Sequence, residues 1–220
     1  MVSLINAEHV SFFHISDIHI QDQRRDEYAK VFQTLYSSID ANKPDHQCFI
    51  IVSGDILDSK TKFTAHNVAD AVAFLTALGD IYPVIIIPGN HDINMNSPGE
   101  LDLISALGDN LRHSSITYYR NSGDYNYKVN GYEFNIVAII PNEPIPDVSE
   151  ENSICIFHED ITRSDTRISE LYLSECIACF GGHIHGHAEV YPNTFYSGSL
   201  IQQNFGEPHN GHGYLIWELH

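Results

Sequence analysis

The chain has 220 residues, 43% of them hydrophobic, and a formal net charge of -18 from 11 basic and 29 acidic residues. This length suits one hydrophobic core, so we expect a single domain over residues 1–220, and no apolar run approaches the roughly 20 residues of a membrane span. The charge argues against a protein that holds a long polyanion with its own basic surface, because such binding depends on lysine and arginine at the phosphates.

Apolar runs alternate with amphipathic stretches in the first half of the chain, which indicates an α/β protein. Strands are predicted at Val10–Ser16, Cys48–Ser53 and Val84–Ile87. Two stretches between them carry apolar residues at helical spacing, namely Tyr28, Val31, Phe32, Leu35, Tyr36 and Ile39 in the first and Val68, Val72, Leu75 and Leu78 in the second. Because each helix returns the chain to the same end of a sheet, these strands are expected to pair in parallel.

The second half of the chain is predicted to contain mostly strands. After a short helix through Leu101, Ile104 and Leu107, the predicted strands are Ile116–Tyr119, Tyr125–Val129, Tyr132–Ile140, Ile154–Phe157 and Ile177–Phe180, and the sequence is again strand-like from Thr194 to Leu219. Asn130-Gly131 predicts a two-residue hairpin turn. The segment Pro141–Asn152 carries three prolines and four acidic residues, which predicts a surface loop.

Cysteine usage and the amino terminus favour a reducing compartment. Cys176 and Cys179 have the C-x-x-C spacing of redox or zinc sites, but no second pair completes a tetrahedral cage, so we interpret them as buried thiols. Met1–Leu4 does not begin a secretory signal. We therefore expect an intracellular protein with no membrane partner, cytoplasmic or, in a eukaryotic host, nuclear.

Five predicted strands each lead into a potential metal ligand at their carboxyl end. These ligands are Asp17, His19, Asp55, Asn90, His158, His183 and His185. In open α/β sheets the ligand crevice lies outside the carboxyl ends of the strands, so these residues are expected to converge on one site.

The donor types in this set agree with one another. Carboxylate, amide oxygen and imidazole suit Mn²⁺, Fe²⁺ or Zn²⁺, and we take two divalent ions, with Mn²⁺ as first choice, as the predicted cofactor. The spacing D-x-H at residues 17–19 puts both side chains on one face of an extended segment, and H-x-H at residues 183–185 does the same. A pair of such ions activates water and holds phosphate oxygens, which predicts hydrolysis of a phosphoester.

These motifs, with G-D-x-x-D at residues 54–58, G-N-H-D at 89–92 and G-H-x-H at 182–185, resemble the calcineurin-like metallophosphoesterase superfamily. The resemblance implies an α/β/β/α sandwich with two mixed sheets and a dinuclear site at the strand ends. It implies that Asp17, His19 and His185 hold one ion, that Asn90, His158 and His183 hold the other, and that Asp55 bridges them. His91 would be the substrate-side catalytic histidine, and we expect Asp92 to orient it.

The last third of the chain is similar to the SbcD family of DNA-repair nucleases. The similarity is carried by Tyr196–Leu200, Phe205–Glu207 and Gly213–Leu215. It implies a manganese-dependent DNA exonuclease or endonuclease with an SbcC-type ATPase partner. The chain would be either a minimal member of that family, such as a virus- or phage-encoded one, or a catalytic fragment. A homodimer is a further alternative. Arg24, Arg25, Lys30, Lys60 and Lys62 are candidate phosphate contacts.

Two alternatives to a DNA nuclease remain open at this point. The first is a phosphodiesterase or phosphatase that acts on nucleotides or other small phosphoesters, which needs no extended basic groove and suits the net charge. The second is a metal-free scaffold that binds protein partners, which the complete ligand set argues against.

Overall fold

The computed structural model describes residues 2–3, 9–93, 102, 104–105, 114–150 and 152–219. Its helices are α1 Arg25–Ala41, α2 Ala65–Ile81 and the short α3 Glu170–Leu173. Its strands are β1 Val2–Ser3, β2 Val10–Ile15, β3 Gln47–Ser53, β4 Val84–Ile87, β5 Ile116–Tyr118, β6 Gly123–Val129, β7 Tyr132–Ile139, β8 Ile154–His158, β9 Ala178–Gly182, β10 Ala188–Tyr191, β11 Thr194–Tyr196 and β12 Leu215–Leu219.

Within these residues the strands form two mixed sheets. The smaller sheet has five strands in the order β12-β2-β3-β4-β5, of which only β12 runs antiparallel to its neighbour. The larger sheet has seven strands: β1, β7, β8, β9, β11 and β10 follow one another, and β6 pairs with β7. In it β6 and β10 run antiparallel to their partners, while β7, β8 and β9 pair in parallel.

Side-chain alternation along the strands divides the core into three apolar layers. Phe13 packs with α1 and α2 on the outer face of the five-stranded sheet, whereas its neighbour Phe12 packs between the two sheets against Phe180. Phe157 and Leu173 belong to the third layer, on the outer face of the seven-stranded sheet. The α/β/β/α sandwich is therefore confirmed, and its outer layer over the seven-stranded sheet is built by the short α3 and irregular chain rather than by a long helix.

The predicted elements of the first half are confirmed, including the parallel pairing of β2, β3 and β4. The hairpin turn is also confirmed, since Asn130 and Gly131 have φ angles of 51° and 87°, as a type I′ turn requires. Of the predicted helix from Leu101 to Leu107 the structure describes only three residues: Ile104 and Ser105 are helical, and Asp102 is not. Sequence patterns did not predict β1, β10 or α3, which are too short to show a period.

Two further features of the fold bear on the predicted site. No helix among the described residues is long and apolar enough to cross a bilayer. The two sheets face each other so that β3 contacts β8 and β9. The carboxyl ends of strands from both sheets therefore meet, and the loops after β2, β3, β4, β8 and β9 share one edge of the sandwich.

Candidate metal centre

The backbone at this edge is locally strained. Asp17, His19, Asp55 and His183 all have positive φ angles, of 52°, 52°, 53° and 95°. Residues other than glycine rarely adopt this left-handed region, and such conformations cluster at functional sites, where the surrounding structure enforces them. Hydrogen bonds enforce it here, because Asp17 N and His19 N donate to the carbonyls of Gly54 and Asp55 at 3.1 and 3.0 Å.

Asp55 lies at the middle of the cluster. Its Oδ2 atom is 3.2 Å from Nε2 of His158 and 3.6 Å from Nε2 of His19. Its Oδ1 atom accepts a hydrogen bond from the main-chain N–H of His91 at 2.8 Å. One buried carboxylate therefore contacts residues contributed by β2, β4 and β8, which is the position that the bridging ligand of a dinuclear site requires.

Asp17, His19 and His185 form a group on one side of Asp55. The Nε2 atoms of His19 and His185 are 3.1 Å apart, and they lie 3.9 and 3.8 Å from Oδ1 of Asp17. These three side chains offer ligand atoms that all lie within 4.8 Å of one another. The Asp17 carboxylate is held in place by Ser16 Oγ and by the main-chain N–H of His183.

Asn90, His158 and His183 lie on the other side of Asp55. Nδ1 of His183 is 2.9 Å from Oδ1 of Asn90, and the rings of His158 and His183 have centroids 5.3 Å apart. Nδ1 of His158 donates to the main-chain carbonyl of Ser53 at 2.7 Å, which leaves Nε2 to face Asp55. The structure therefore brings all seven predicted ligands together.

The residues of both groups fit divalent cations. Nε2 of His158 is buried and faces Oδ2 of Asp55 at 3.2 Å, and no other group among the described residues satisfies this nitrogen. The two facing imidazole nitrogens of His19 and His185 likewise present lone pairs toward the same point. A cation between these donors satisfies both arrangements, and the mixture of carboxylate, amide and imidazole suits transition-metal ions.

Electrostatics within the cluster also favour cations. Burial raises the pKa of Asp17, whereas at Asp55 the effect of burial is outweighed by His158 and His19, which lower the pKa of the carboxyl. At His158 the opposing effect of burial is outweighed by Asp55, and its pKa rises to about 9. A proton on His158 thus occupies the place of a cation, and metal binding releases it.

His91 lies beside the cluster and is oriented differently from our expectation. Its ring centroid is 4.9 Å from that of His19, and its Nδ1 atom donates to the main-chain carbonyl of Asp58. Asp92 does not contact the ring: its carboxylate accepts hydrogen bonds from the N–H groups of Ile56, Leu57 and Gly89 at 3.0, 3.1 and 2.9 Å. The expectation that Asp92 orients His91 is therefore corrected, because Asp92 instead ties the loop after β3 to the loop after β4.

Sequence reasoning gave no role to Glu207, which the structure places at the centre. Its Oε1 atom accepts a hydrogen bond from Nδ1 of His185 at 2.7 Å, and its other oxygen accepts from the main-chain N–H of Gln203 at 2.6 Å. A carboxylate behind a metal-binding histidine fixes the tautomer and the ring orientation of that histidine. The F-x-E element at residues 205–207 was visible in the sequence, but nothing in its spacing relates it to residue 185.

Two glycines permit the close approach of the loops. A Cβ atom on Gly182 would lie 2.0 Å from the carbonyl oxygen of Ser53, and one on Gly89 would lie 2.1 Å from Oδ1 of Asp55. Any side chain at these positions would push β9 or the loop after β4 away from Asp55.

The predicted basic contacts do not form one surface. Arg24 pairs with Glu27 at 2.7 Å and Arg25 pairs with Asp70 at 2.6 Å, so both guanidinium groups are already engaged. Lys62 lines a cavity of about 520 Å³ on one side of the centre, together with Asp58 and Phe63. Lys60 lines a second cavity of about 420 Å³, together with Asn90, His158 and His183.

Comparison with known proteins agrees with this geometry. The family model described as calcineurin-like phosphoesterase matches residues 10–215. "Uncharacterized protein R555" of Acanthamoeba polyphaga mimivirus is 31% identical over 230 residues, covering 94% of this chain and 17% of that protein. "Putative phosphoesterase 078R" of Invertebrate iridescent virus 3 is 22% identical, with coverages of 94% and 62%, and "Putative phosphoesterase 244L" of Invertebrate iridescent virus 6 is 24% identical, with coverages of 74% and 64%.

The chain thus spans between 17% and 64% of the length of these three curated relatives. Among solved structures, the 5'-nucleotidase precursor from Thermus thermophilus is 14% identical with a TM-score of 0.49, covering 84% of this chain and 43% of that chain. The match to the family model includes every strand from β2 to β11 and all seven residues of the centre. This chain belongs to the calcineurin-like phosphoesterase family.

Proposed function

We propose that this chain is a two-metal phosphodiesterase that hydrolyses the phosphodiester bonds of DNA. The observation that carries the proposal is the position of Asp55, whose carboxylate contacts both His19 and His158 and so joins two groups of ligands into one centre. A phosphoester that binds across this centre meets both groups at once, as in-line displacement at phosphorus by a two-metal mechanism requires.

Each residue of the centre has a role in the proposed reaction. Asp17, His19 and His185 would hold one ion, Asn90, His158 and His183 the other, and Asp55 would be shared. The two cations, when bound, supply acidified water and neutralise charge on the phosphate. The doubly protonated form of His91 would give the proton on Nε2 to the leaving oxygen and keep the proton on Nδ1, which the carbonyl of Asp58 holds. Glu207 keeps the tautomer of His185 that binds metal through Nε2.

We propose manganese as the working metal. The centre contains two carboxylates and one amide oxygen besides four imidazoles and no sulfur, which suits Mn²⁺ and, as alternatives, Fe²⁺ or Zn²⁺. Activity measured after removal of all metal and addition of each ion separately decides among them.

DNA as substrate is supported by the elements that resemble SbcD nucleases. Ser197 from the Tyr196–Leu200 segment hydrogen-bonds with Ser16 next to Asp17, and Glu207 contacts His185, so both elements adjoin the centre. The proposal includes an SbcC-type ATPase partner, which would add basic surface to an acidic chain, and a homodimer is a further arrangement. The viral relatives support a virus-encoded protein.

The net charge and the engaged arginines favour a second candidate, a phosphodiesterase or phosphatase of nucleotides or other small phosphoesters. The formal charge is -18, and Arg24 and Arg25 are paired with acidic side chains. A small substrate needs only the two cavities beside the centre. Lys62 lines the first cavity and Lys60 lines the second, and neither lysine forms an ion pair with an acidic side chain among the described residues.

One experiment separates the two candidates. Mn²⁺-dependent cleavage of labelled single- and double-stranded DNA is compared with cleavage of bis-p-nitrophenyl phosphate at low and high salt, with Asp55→Asn as the inactive control. We expect DNA cleavage that falls steeply with salt, because phosphate contacts release counterions. Cleavage of the small ester without cleavage of either DNA contradicts the proposed substrate and supports the second candidate. No cleavage of any substrate contradicts the phosphodiesterase itself.

A further inference from the structure

Three of the four cysteines of the chain come together on the outer face of the seven-stranded sheet, away from the centre described above. Cys155 in β8 and Cys179 in β9 are direct neighbours across the parallel pair, and Cys176 lies in the turn that precedes β9. One ligand atom from each residue lies within 4.8 Å of those of the other two. All three side chains are buried. The sulfur atoms therefore form a compact group that the C-x-x-C spacing alone did not reveal.

Polar groups surround these sulfurs although the layer is otherwise apolar. Sγ of Cys179 is 3.4 Å from the carbonyl oxygen of Leu173 and 3.7 Å from Nδ2 of Asn193. The same Asn193 amide donates to the carbonyls of Leu173 and Cys176 at 2.8 and 2.7 Å. Asn193 thus ties the turn that carries Cys176 to the end of α3, and its amide lies beside the sulfur of Cys179.

The three sulfurs contact one another directly. Cys155 hydrogen-bonds with both Cys176 and Cys179, and Cys176 also hydrogen-bonds with Cys179. A thiolate in a buried pocket is costly unless a positive charge compensates it.

We propose that Cys155, Cys176 and Cys179 bind one thiophilic divalent cation of the zinc class. Three thiolates and a divalent ion leave a net charge of -1, compared with -3 for the thiolates alone, and the thiol protons pass to solvent on binding. The hydroxyl of Thr194, which hydrogen-bonds with Cys179, offers an oxygen for a fourth, tetrahedral position.

The proposed cysteine site lies on two strands that also lead to histidines of the metal centre. Cys155 precedes His158 by three residues in β8, and Cys179 precedes His183 by four residues at the end of β9. A cation that joins the two cysteines fixes β8 against β9 directly behind two histidines of the centre. Soft sulfur and harder oxygen and nitrogen donors would also direct different ions to the two sites.

Cadmium is the probe for this proposal, because a sulfur-to-cadmium charge-transfer band in the ultraviolet reports only sulfur ligands and the His and Asp centre has none. Titration of the reduced, metal-free full chain with Cd²⁺ is expected to give this band with one equivalent. Cys176→Ser, at the most exposed of the three positions, is expected to lower the affinity at least tenfold. Cys48→Ser removes the remaining buried cysteine, outside the group, and is the matched control with unchanged affinity.

Absence of the band in the folded wild-type chain overturns the proposal, as does a band that Cys176→Ser leaves unchanged. Circular dichroism establishes that each variant is folded. If Cys176→Ser does not fold, cadmium NMR of the wild-type chain replaces it, since the chemical shift depends on the number of sulfur ligands. A shift typical of three sulfurs supports the site, and a shift typical of oxygen and nitrogen ligands alone contradicts it.

Discussion

Oε1 of Glu207 and Nδ1 of His185 are joined by a hydrogen bond of 2.7 Å, which makes Glu207 a positioning residue that acts on the centre through His185. We predict that Glu207→Ala lowers metal affinity or activity about 10- to 100-fold, as the loss of such a partner does in other metal sites. Calorimetric titration with Mn²⁺ measures the affinity. Glu207→Gln, which can still accept from Nδ1, should recover part of the loss, and Glu189→Ala, an exposed position in β10, is the control. Equal affinities for Glu207→Ala and wild type contradict this role.

The second prediction concerns Asp55. Asp55→Asn keeps the size of the side chain but removes the charge that lies between His19 and His158. We expect the variant to lose bound metal and to have no measurable turnover, because a neutral amide is a poor bridge between two cations. Elemental analysis after dialysis gives the metal content, with Asp26→Asn, an exposed substitution in α1, as control. Two bound metals and normal turnover in Asp55→Asn would falsify the assignment.

The third prediction separates His91 from the metal ligands. Because its Nδ1 atom is engaged by the carbonyl of Asp58 and it lies beside the ligand groups, we expect His91→Gln to retain both metals. Loss of a general acid reduces the rate about 10²- to 10⁴-fold. Turnover of an ester with a good leaving group, which needs little protonation, should fall less than turnover of a poor one. Loss of metal in His91→Gln would show that this histidine is a ligand instead.

The fourth prediction tests the close approach of β9 to β3. Gly182→Ala places a Cβ atom 2.0 Å from the carbonyl oxygen of Ser53, so one of the two strands must move. Overpacking of this kind lowers the free energy of unfolding by about 1–3 kcal/mol. Gly186→Ala is the matched control, because no atom lies within 4 Å of a Cβ at that position. Urea denaturation of both variants measures the difference, and equal stabilities would contradict the predicted clash.

The fifth prediction is a pH dependence of stability that comes from His14. This side chain is buried and bonds with Ser53 Oγ at 2.9 Å, and burial lowers its pKa to about 3. Its unfolded pKa is about 6.5. The unfolded chain therefore binds the proton first, and the contribution of neutral His14 to stability, complete above pH 6.5, is lost as the pH falls toward 3.

His14→Gln keeps a polar partner for Ser53 but does not titrate. The free energy of unfolding of this variant should therefore decrease less between pH 7 and pH 5 than that of the wild type. Denaturant unfolding at several pH values, with a metal chelator present throughout, provides the comparison. Parallel curves for the two proteins would show that His14 does not titrate differently on unfolding.

The sequence by itself determined the longer strands and helices, without β1, β10 and α3, and the seven residues that converge at the centre. Strands such as Cys48–Ser53 were recognisable because buried parallel strands are continuous apolar runs. Once the first and last residues of such a strand are known, the residues at its carboxyl end are known as well. Asp17 and Asp55 could be assigned to one edge for the same reason, since parallel strands of one sheet end together. His183 follows β9 of the other sheet and meets them only because the two sheets pack face to face.

Only the tertiary structure decided which groups act on those residues. The contacts of Asp92 with the N–H groups of Ile56 and Leu57, of Glu207 with His185 and of Arg25 with Asp70 join segments far apart in sequence, and no local period encodes them. The same holds for Cys155, which stands 21 positions before Cys176 and meets it only because β8 and β9 are neighbours. Spacing along the chain shows which side chains share one face of a helix or strand. Contacts between different helices and strands depend on how the two sheets pack.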